Sequence, residues 1–329
     1  MGCVEANDVR SQPVTLSDSS SAAERIAEFL ERFVARCKSQ PAVHGVVLLG
    51  SMADPDAVDA LSDLDLMVIT TSPRRLSSTA WMDSIDPPAH FSWSYASPIG
   101  GQRVGQAIYD GPLVVDLAFV HSFLAFLLGI AVKALSRRPS LRQRLPAQFL
   151  PQIDAWLAII DRGAKVLFDR AGLARRIATP TVPGTRELPS EQVYLNTVHS
   201  ALGLMLWESK QLVRGELWMA LETVDHQVKQ CLLTMIEWHS LAVDPGLSDT
   251  WYGARHMEDW ADRRWLLPLR QAWPHLDREE AWDSLFVTLG LFSEVATETG
   301  RLLGYQYPAD DELRVRGWID ARRAVPLAD

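Results

Sequence analysis

Cysteine is almost missing from this chain. Its 329 residues include three, Cys3, Cys37 and Cys231, an odd and scattered set that excludes a disulfide framework and a cysteine metal cluster. Long hydrophobic runs are missing too. The one uncharged, apolar-rich stretch worth weighing, SFLAFLLGIAV (Ser122 to Val132), falls short of the ~20 residues that a bilayer span requires, so it reads as a buried helix. The opening MGCVEANDVRSQPVTLSDSSS is polar and has no apolar core of the signal-peptide kind, which leads us to expect a cytoplasmic protein off the membrane. Ala6 stands where N-myristoylation needs Ser or Thr. Positive charge is in deficit, with 32 Lys and Arg against 41 Asp and Glu and a formal net charge of −9. That balance argues against a general nucleic-acid binder and favours a cationic small-molecule partner.

What is present is an ordinary soluble composition, 47% hydrophobic and 22% charged, in a chain long enough for two domains of about 100–200 residues each. Ile26, Phe29, Leu30, Phe33 and Val34 recur at helical spacing within Ala22 to Arg36. Pro41 ends that helix, and VHGVVLL (Val43 to Leu49) is a strand. A second strand runs from Asp63 to Thr70 after a polar loop with Pro55. FSWSYA (Phe91 to Ala96) and RVGQAIYDGPLVVDLAFV (Arg103 to Val120) supply three more, the last two joined by a hairpin at Asp110-Gly111. Helices are expected over Phe123 to Ser136 and Ile153 to Asp169, giving an α/β domain with a mixed sheet. RIATPTVPGTRELPS (Arg176 to Ser190) reads as a linker. Beyond it Tyr194 to Arg214, Leu217 to His239, Met257 to Trp273 and Glu279 to Leu303 carry helical periodicity, which makes an all-α bundle. The expected organisation is a polar arm over 1–21, an α/β domain over 22–175, a linker over 176–190 and a helical domain over 191–329.

The chemistry concentrates in VVLLGSMADPDAVDALSDLDLMVIT (Val46 to Thr70). Alternate residues of a strand share a face, so Asp63 and Asp65 project together while Leu64 and Leu66 enter the core. Two adjacent carboxylates repel, and a hard divalent cation such as Mg²⁺ relieves that repulsion. Asp116 in LVVDLAFV offers a third carboxylate, with Val115 and Leu117 on the opposite face. Gly50 and Ser51 end the first strand, where a glycine lets a phosphate approach the backbone and a following helix start offers N–H donors.

The ordered set LLGSMAD, LSDLDLMV and VVDLAF resembles the nucleotidyltransferase superfamily related to DNA polymerase β. Within it the chain is most similar to the antibiotic nucleotidyltransferases: streptomycin and other aminoglycoside adenylyltransferases and their lincosamide relatives. GAKVLFDRAG (Gly163 to Gly172), Val213 to His239 and WYGARHMEDWAD (Trp251 to Asp262) extend the likeness. The resemblance implies metal-dependent transfer of a nucleoside monophosphate, AMP from ATP, to a hydroxyl. Asp63, Asp65 and Asp116 would hold Mg²⁺, with Asp116 either a metal ligand or the base. Gly50, Ser51, Arg255 and Lys229 would bind the triphosphate. Met52 stands where many antibiotic-modifying members carry arginine, and Arg255 where relatives often carry lysine.

The expected acceptor is a small, cationic, aminoglycoside-like molecule in a cleft between the domains, with Glu208, Glu216, Glu222 and Glu237 as unranked carboxylates for it, in a monomer or homodimer. Trp207, Trp218, Trp238, Trp251 and Trp260 are candidates for ring stacking, although such residues more often serve core or interface packing, and Asp225 with Lys229 also reads as a surface i,i+4 pair. Two alternatives stand beside this reading. One is a toxin- or antitoxin-type nucleotidyltransferase acting on RNA or protein, to which the Arg-x4-His spacing of Arg270 and His275 points. The other is a nucleotide-binding protein without catalysis.

Overall fold

The computed structural model describes residues 19–53, 63–96, 103–109, 113–137, 159–160, 163–178, 188–246, 250 and 254–325. The chain divides into two compact units between Thr185 and Arg186. Among the described residues no helix is long and apolar enough to cross a membrane.

The first unit begins with helix α1 (Ser19–Lys38), strand β1 (Val43–Leu49) and a 3₁₀ turn, Gly50–Ala53. Strand β2 (Leu64–Thr70) and two one-turn helices, α2 (Pro73–Leu76) and α3 (Thr79–Met82), follow. Then come β3 (Phe91–Ala96), β4 (Arg103–Tyr109), β5 (Leu113–His121) and α4 (Ser122–Arg137). The unit ends with β6 (Ala164–Asp169) and α5 (Leu173–Ala178).

The strands form one six-stranded sheet in the order β3-β4-β5-β2-β1-β6. β2 and β5 run parallel and every other neighbouring pair antiparallel, so the sheet is mixed. β1 and β2 are mostly apolar, and each is buried at six of its seven positions, because they are central and covered on both faces. On one face Leu48, Leu64, Leu66, Val115 and Leu117 pack against Phe29 and Phe33 of α1. On the other Val47, Met67, Ile69 and Val120 meet Ala125 of α4 and Ala174 and Ile177 of α5. A Cβ on Gly45 would lie 2.8 Å from that of Ala174, so glycine there lets α5 close onto β1.

The second unit opens with α6 (Glu191–Arg214), capped by the Ser190 hydroxyl and stopped by left-handed Gly215. α7 (Leu217–Glu222) passes through a π-helical turn, Thr223–Val228, into α8 (Lys229–Val243). α9 (Met257–Trp260), α10 (Arg263–Arg270), α11 (Arg278–Leu303) and α12 (Ala309–Arg323) complete the unit. Tyr194, Met205, Met235, Trp282, Leu285 and Phe292 lie at the centre of its core.

Several expectations change. The helix expected over Ile153 to Asp169 is not continuous, because Ala164–Asp169 is the edge strand β6, antiparallel to β1. Gly163, at φ 132°, breaks the chain just before it. Arg176–Ala178, placed in the linker, instead completes α5, where Ile177 and Ala178 are buried. The stretch read as one helix over Met257 to Trp273 is two, divided at Ala261 and Asp262, whose carboxylate caps α10. α12 has no counterpart among the expected helices. The polar arm before residue 19, the loop with Pro55, the Asp110-Gly111 turn and Trp251 lie outside the described residues.

Candidate active site

Strand register assembles the site. Leu49 of β1 pairs with Asp65 of β2, Asp65 with Asp116 of β5, Asp116 with Gln106 of β4, and Gln106 with Trp93 of β3. Residues directly opposite on neighbouring strands stand side by side on one face. The five therefore form a row across the sheet, with the two aspartates at its centre. Both are only half-buried, whereas Leu64, Leu66, Val115 and Leu117 beside them in sequence are buried on the other face. Asp63 is exposed just before β2 begins.

The electrostatics are those of crowded, partly desolvated acids. Burial first, then the charges of Asp116 and Asp63, push the Asp65 carboxyl up to about 6. Burial also raises Asp116, as does Asp63, while a hydrogen bond from the Gln106 side chain opposes the rise. One carboxylate oxygen of Asp116, Oδ1, is buried with no hydrogen-bond partner. Gly50, in the left-handed region at φ 70°, closes the β1 end of the group, and a Cβ there would come within 2.8 Å of Asp65 Oδ2. Its own N–H donates to the Gly163 carbonyl at 3.2 Å, so what Gly50 contributes is room. The helix start expected after Ser51 is a single 3₁₀ turn.

These residues fit a divalent cation: an orphaned carboxylate oxygen, mutual repulsion and a Cβ-sized space all lie on one face. Among the described residues no group of three or more His, Cys, Asp or Glu is already gathered to hold a metal. Mg²⁺ in nucleotide sites is usually held by one or two carboxylates together with water and substrate phosphates, rather than by an all-protein cage.

The structure thus brings Asp63, Asp65, Asp116 and Gly50 together within the first unit, and Ser51 follows Gly50 in the turn. The two cations named with them lie in the second unit. The ammonium of Lys229 is buried, pairs with Asp225 and sits 4.0 Å over the Trp273 ring. Arg255 lies between two non-glycine residues in left-handed conformation, Ala254 and His256, a strain that tends to collect at functional sites. Its Nε meets His256 Nε2 at 3.3 Å.

Of the four glutamates, Glu208 is wholly buried with both oxygens unpartnered, Glu216 and Glu222 are exposed, and Glu237 is half-buried. Trp207, Trp238 and Trp260 are half-buried and Trp218 is exposed. Arg270 ends α10, whereas His275 lies beyond it, bonded to Glu280 at 2.7 Å, so the two do not share one helix face. Gln106 and Trp93 are the members of the row that the sequence reading missed.

A family model described as streptomycin adenylyltransferase matches residues 150–321. The matched segment begins after the carboxylate row and takes in most of the helical unit. No curated protein matches the chain. Among solved structures, an aminoglycoside 6-adenyltransferase from Bacillus subtilis aligns at 14% identity over 90% of this chain and 98% of its own, with a TM-score of 0.39. A nucleotidyltransferase-like protein from Exiguobacterium sibiricum aligns at 16% identity over 84% of this chain and 78% of its own, with a TM-score of 0.32.

Proposed function

Because the chain belongs to the streptomycin adenylyltransferase family, we propose that this adenylyltransferase uses ATP and Mg²⁺ to transfer AMP to a hydroxyl of a small cationic acceptor of the aminoglycoside kind, at the Asp65–Asp116 row. The observation that carries the reading is the direct pairing of those two aspartates with Asp116 Oδ1 left unpartnered. A buried carboxylate oxygen left without a hydrogen bond is costly unless a ligand compensates it.

In the proposed reaction the acceptor oxygen attacks the α-phosphorus of ATP, the bond from that phosphorus to the bridging oxygen breaks, and pyrophosphate departs. The hydroxyl proton passes to the Asp116 carboxylate, whose raised affinity for protons suits a general base. Asp63 and Asp65 would hold Mg²⁺, which supplies positive charge against that of the triphosphate. Gly50 keeps the space beside Asp65 clear. The net charge of −9 supports a cationic acceptor, and inactivation of an antibiotic is the role this reading assigns.

The test is incubation with Mg²⁺, each NTP and a panel of aminoglycosides, lincosamides, RNA and protein, following pyrophosphate release and mass gain. Gain of AMP on an aminoglycoside is the expected outcome. Asp63→Ala, Asp65→Asn and Asp116→Asn should each lower transfer by on the order of 100-fold or more while the fold persists. Labelling confined to RNA or protein, or substantial turnover in any of the three variants, would sink the proposal.

A further inference from the structure

β3 is an edge strand whose two faces differ. Ser92, Ser94 and Ala96 point one way, and Ser92 bonds the Asp83 carboxylate at 2.6 Å. Phe91, Trp93 and Tyr95 point the other way and are 59%, 39% and 43% exposed. The rings of Phe91 and Trp93 are stacked, with centroids 5.9 Å apart and planes 21° from parallel, so the surface they offer is already arranged. Edge strands are usually blunted with charge, proline or bulges because a flat apolar edge invites aggregation. The stacked and exposed rings of Phe91 and Trp93 there call for an occupant.

Register identifies the face. Trp93 pairs with Gln106 and Gln106 with Asp116, so the aromatic row shares the face of the carboxylates, and Trp93 stands two strand spacings, about 10 Å, from Asp116. Gly50 follows Leu49, the opposite end of the row, and the position of its absent Cβ lies 2.8 Å from Asp65 Oδ2. In phosphoryl transfer the attacking and leaving oxygens are roughly in line. With the phosphates at the Gly50 end, the attacking hydroxyl comes to Asp116 from the side of β4 and β3.

Resting on the function proposed above, we propose that Phe91, Trp93 and Tyr95 form the acceptor platform, against which a saturated ring bearing hydroxyl and ammonium groups is laid while one hydroxyl reaches Asp116. Aromatic faces suit such a ring, because they attract ammonium groups and cover its C–H face, and a platform of stacked rings loses little conformational freedom on binding.

The experiment measures streptomycin and a panel of other aminoglycosides in two ways: equilibrium binding by calorimetry without ATP, and AMP transfer with separate KM values for acceptor and ATP. Trp93→Ala and Phe91→Ala should each weaken acceptor binding and raise acceptor KM by roughly 10-fold, leaving the KM for ATP within about 2-fold. Trp93→Phe should restore most of the loss. Unchanged acceptor binding in both alanine variants overturns the platform, as does a rise confined to the KM for ATP, which would place the nucleobase there. Failure of the wild type to bind any of the panel also overturns it. Failure of the broader function reads differently, as AMP appearing only on RNA or protein or as turnover persisting in the aspartate variants.

Discussion

At the scale of single residues, Gly50 and Asp65 determine each other. The left-handed backbone at Gly50 is one that other L-residues enter at a cost of about 1–2 kcal/mol, and a Cβ there would press on Asp65 Oδ2 at 2.8 Å. Gly50→Ala should therefore lower unfolding stability by about 1–2 kcal/mol, measured by denaturant titration, and depress AMP transfer far more than that loss explains. Gln106 plays a subtler part. Its side chain hydrogen-bonds Asp116 and favours the charged carboxylate, so Gln106→Leu should raise the Asp116 pKa further. If the ionised carboxylate takes the proton, the acid limb of the kcat/KM profile moves to higher pH, and an unmoved limb would remove Asp116 as the base. The aspartates were legible because period-two spacing is written along one strand. Gln106 and Trp93 were not, because they join the site only through register between strands, which no single segment encodes.

At the scale of elements, the least legible parts were those whose local pattern competes with their packing. β6, AKVLFD, is short and lies at a sheet edge, where every residue but Lys165 is half-buried, so no clean alternation marks it as a strand. α12 is charged at most positions and buries only Val315 and Ile319 among its described side chains, too narrow a stripe to announce a helix. The run from Leu217 to His239 was legible as helix, but not its π turn, which arises from backbone pairing that hydrophobic spacing does not specify. Beside that turn, burial holds the Glu208 carboxyl well above its ordinary pKa, with Asp225 adding to the rise and Lys229 opposing it. The folded state therefore retains a proton on Glu208 that the unfolded chain releases near pH 4.3. Stability falls as pH climbs from that unfolded value towards the folded one and stays reduced above it. Glu208→Gln, which keeps the shape without the charge, should raise Tm at pH 8, with the gain shrinking towards pH 4. An equal gain at both pH values would mean that Glu208 does not titrate between the two states.

At the scale of the whole molecule, charge and chain organisation carry different information. The acid motif lies wholly before the segment matched by the family model, residues 150–321, so the family membership and the proposed carboxylate site rest on different parts of the chain. The net charge of −9 bears on a different quantity, the rate at which an acceptor arrives. A protein with this excess of acid attracts a multiply charged cation over several ångströms and repels ATP, and both effects fade as salt shortens the screening length from roughly 10 Å at 0.1 M towards 3 Å at 1 M. Raising salt from about 0.05 to 0.5 M should then lower kcat/KM for a cationic acceptor several-fold, through KM rather than kcat, while kcat/KM for ATP holds or rises. The check is a salt series run twice, once with each substrate limiting, at fixed free Mg²⁺. Equal losses for both substrates would point to a general effect of salt on the enzyme, and no loss for the acceptor would mean that the acidic surface serves solubility and leaves recognition to the aromatic and carboxylate row.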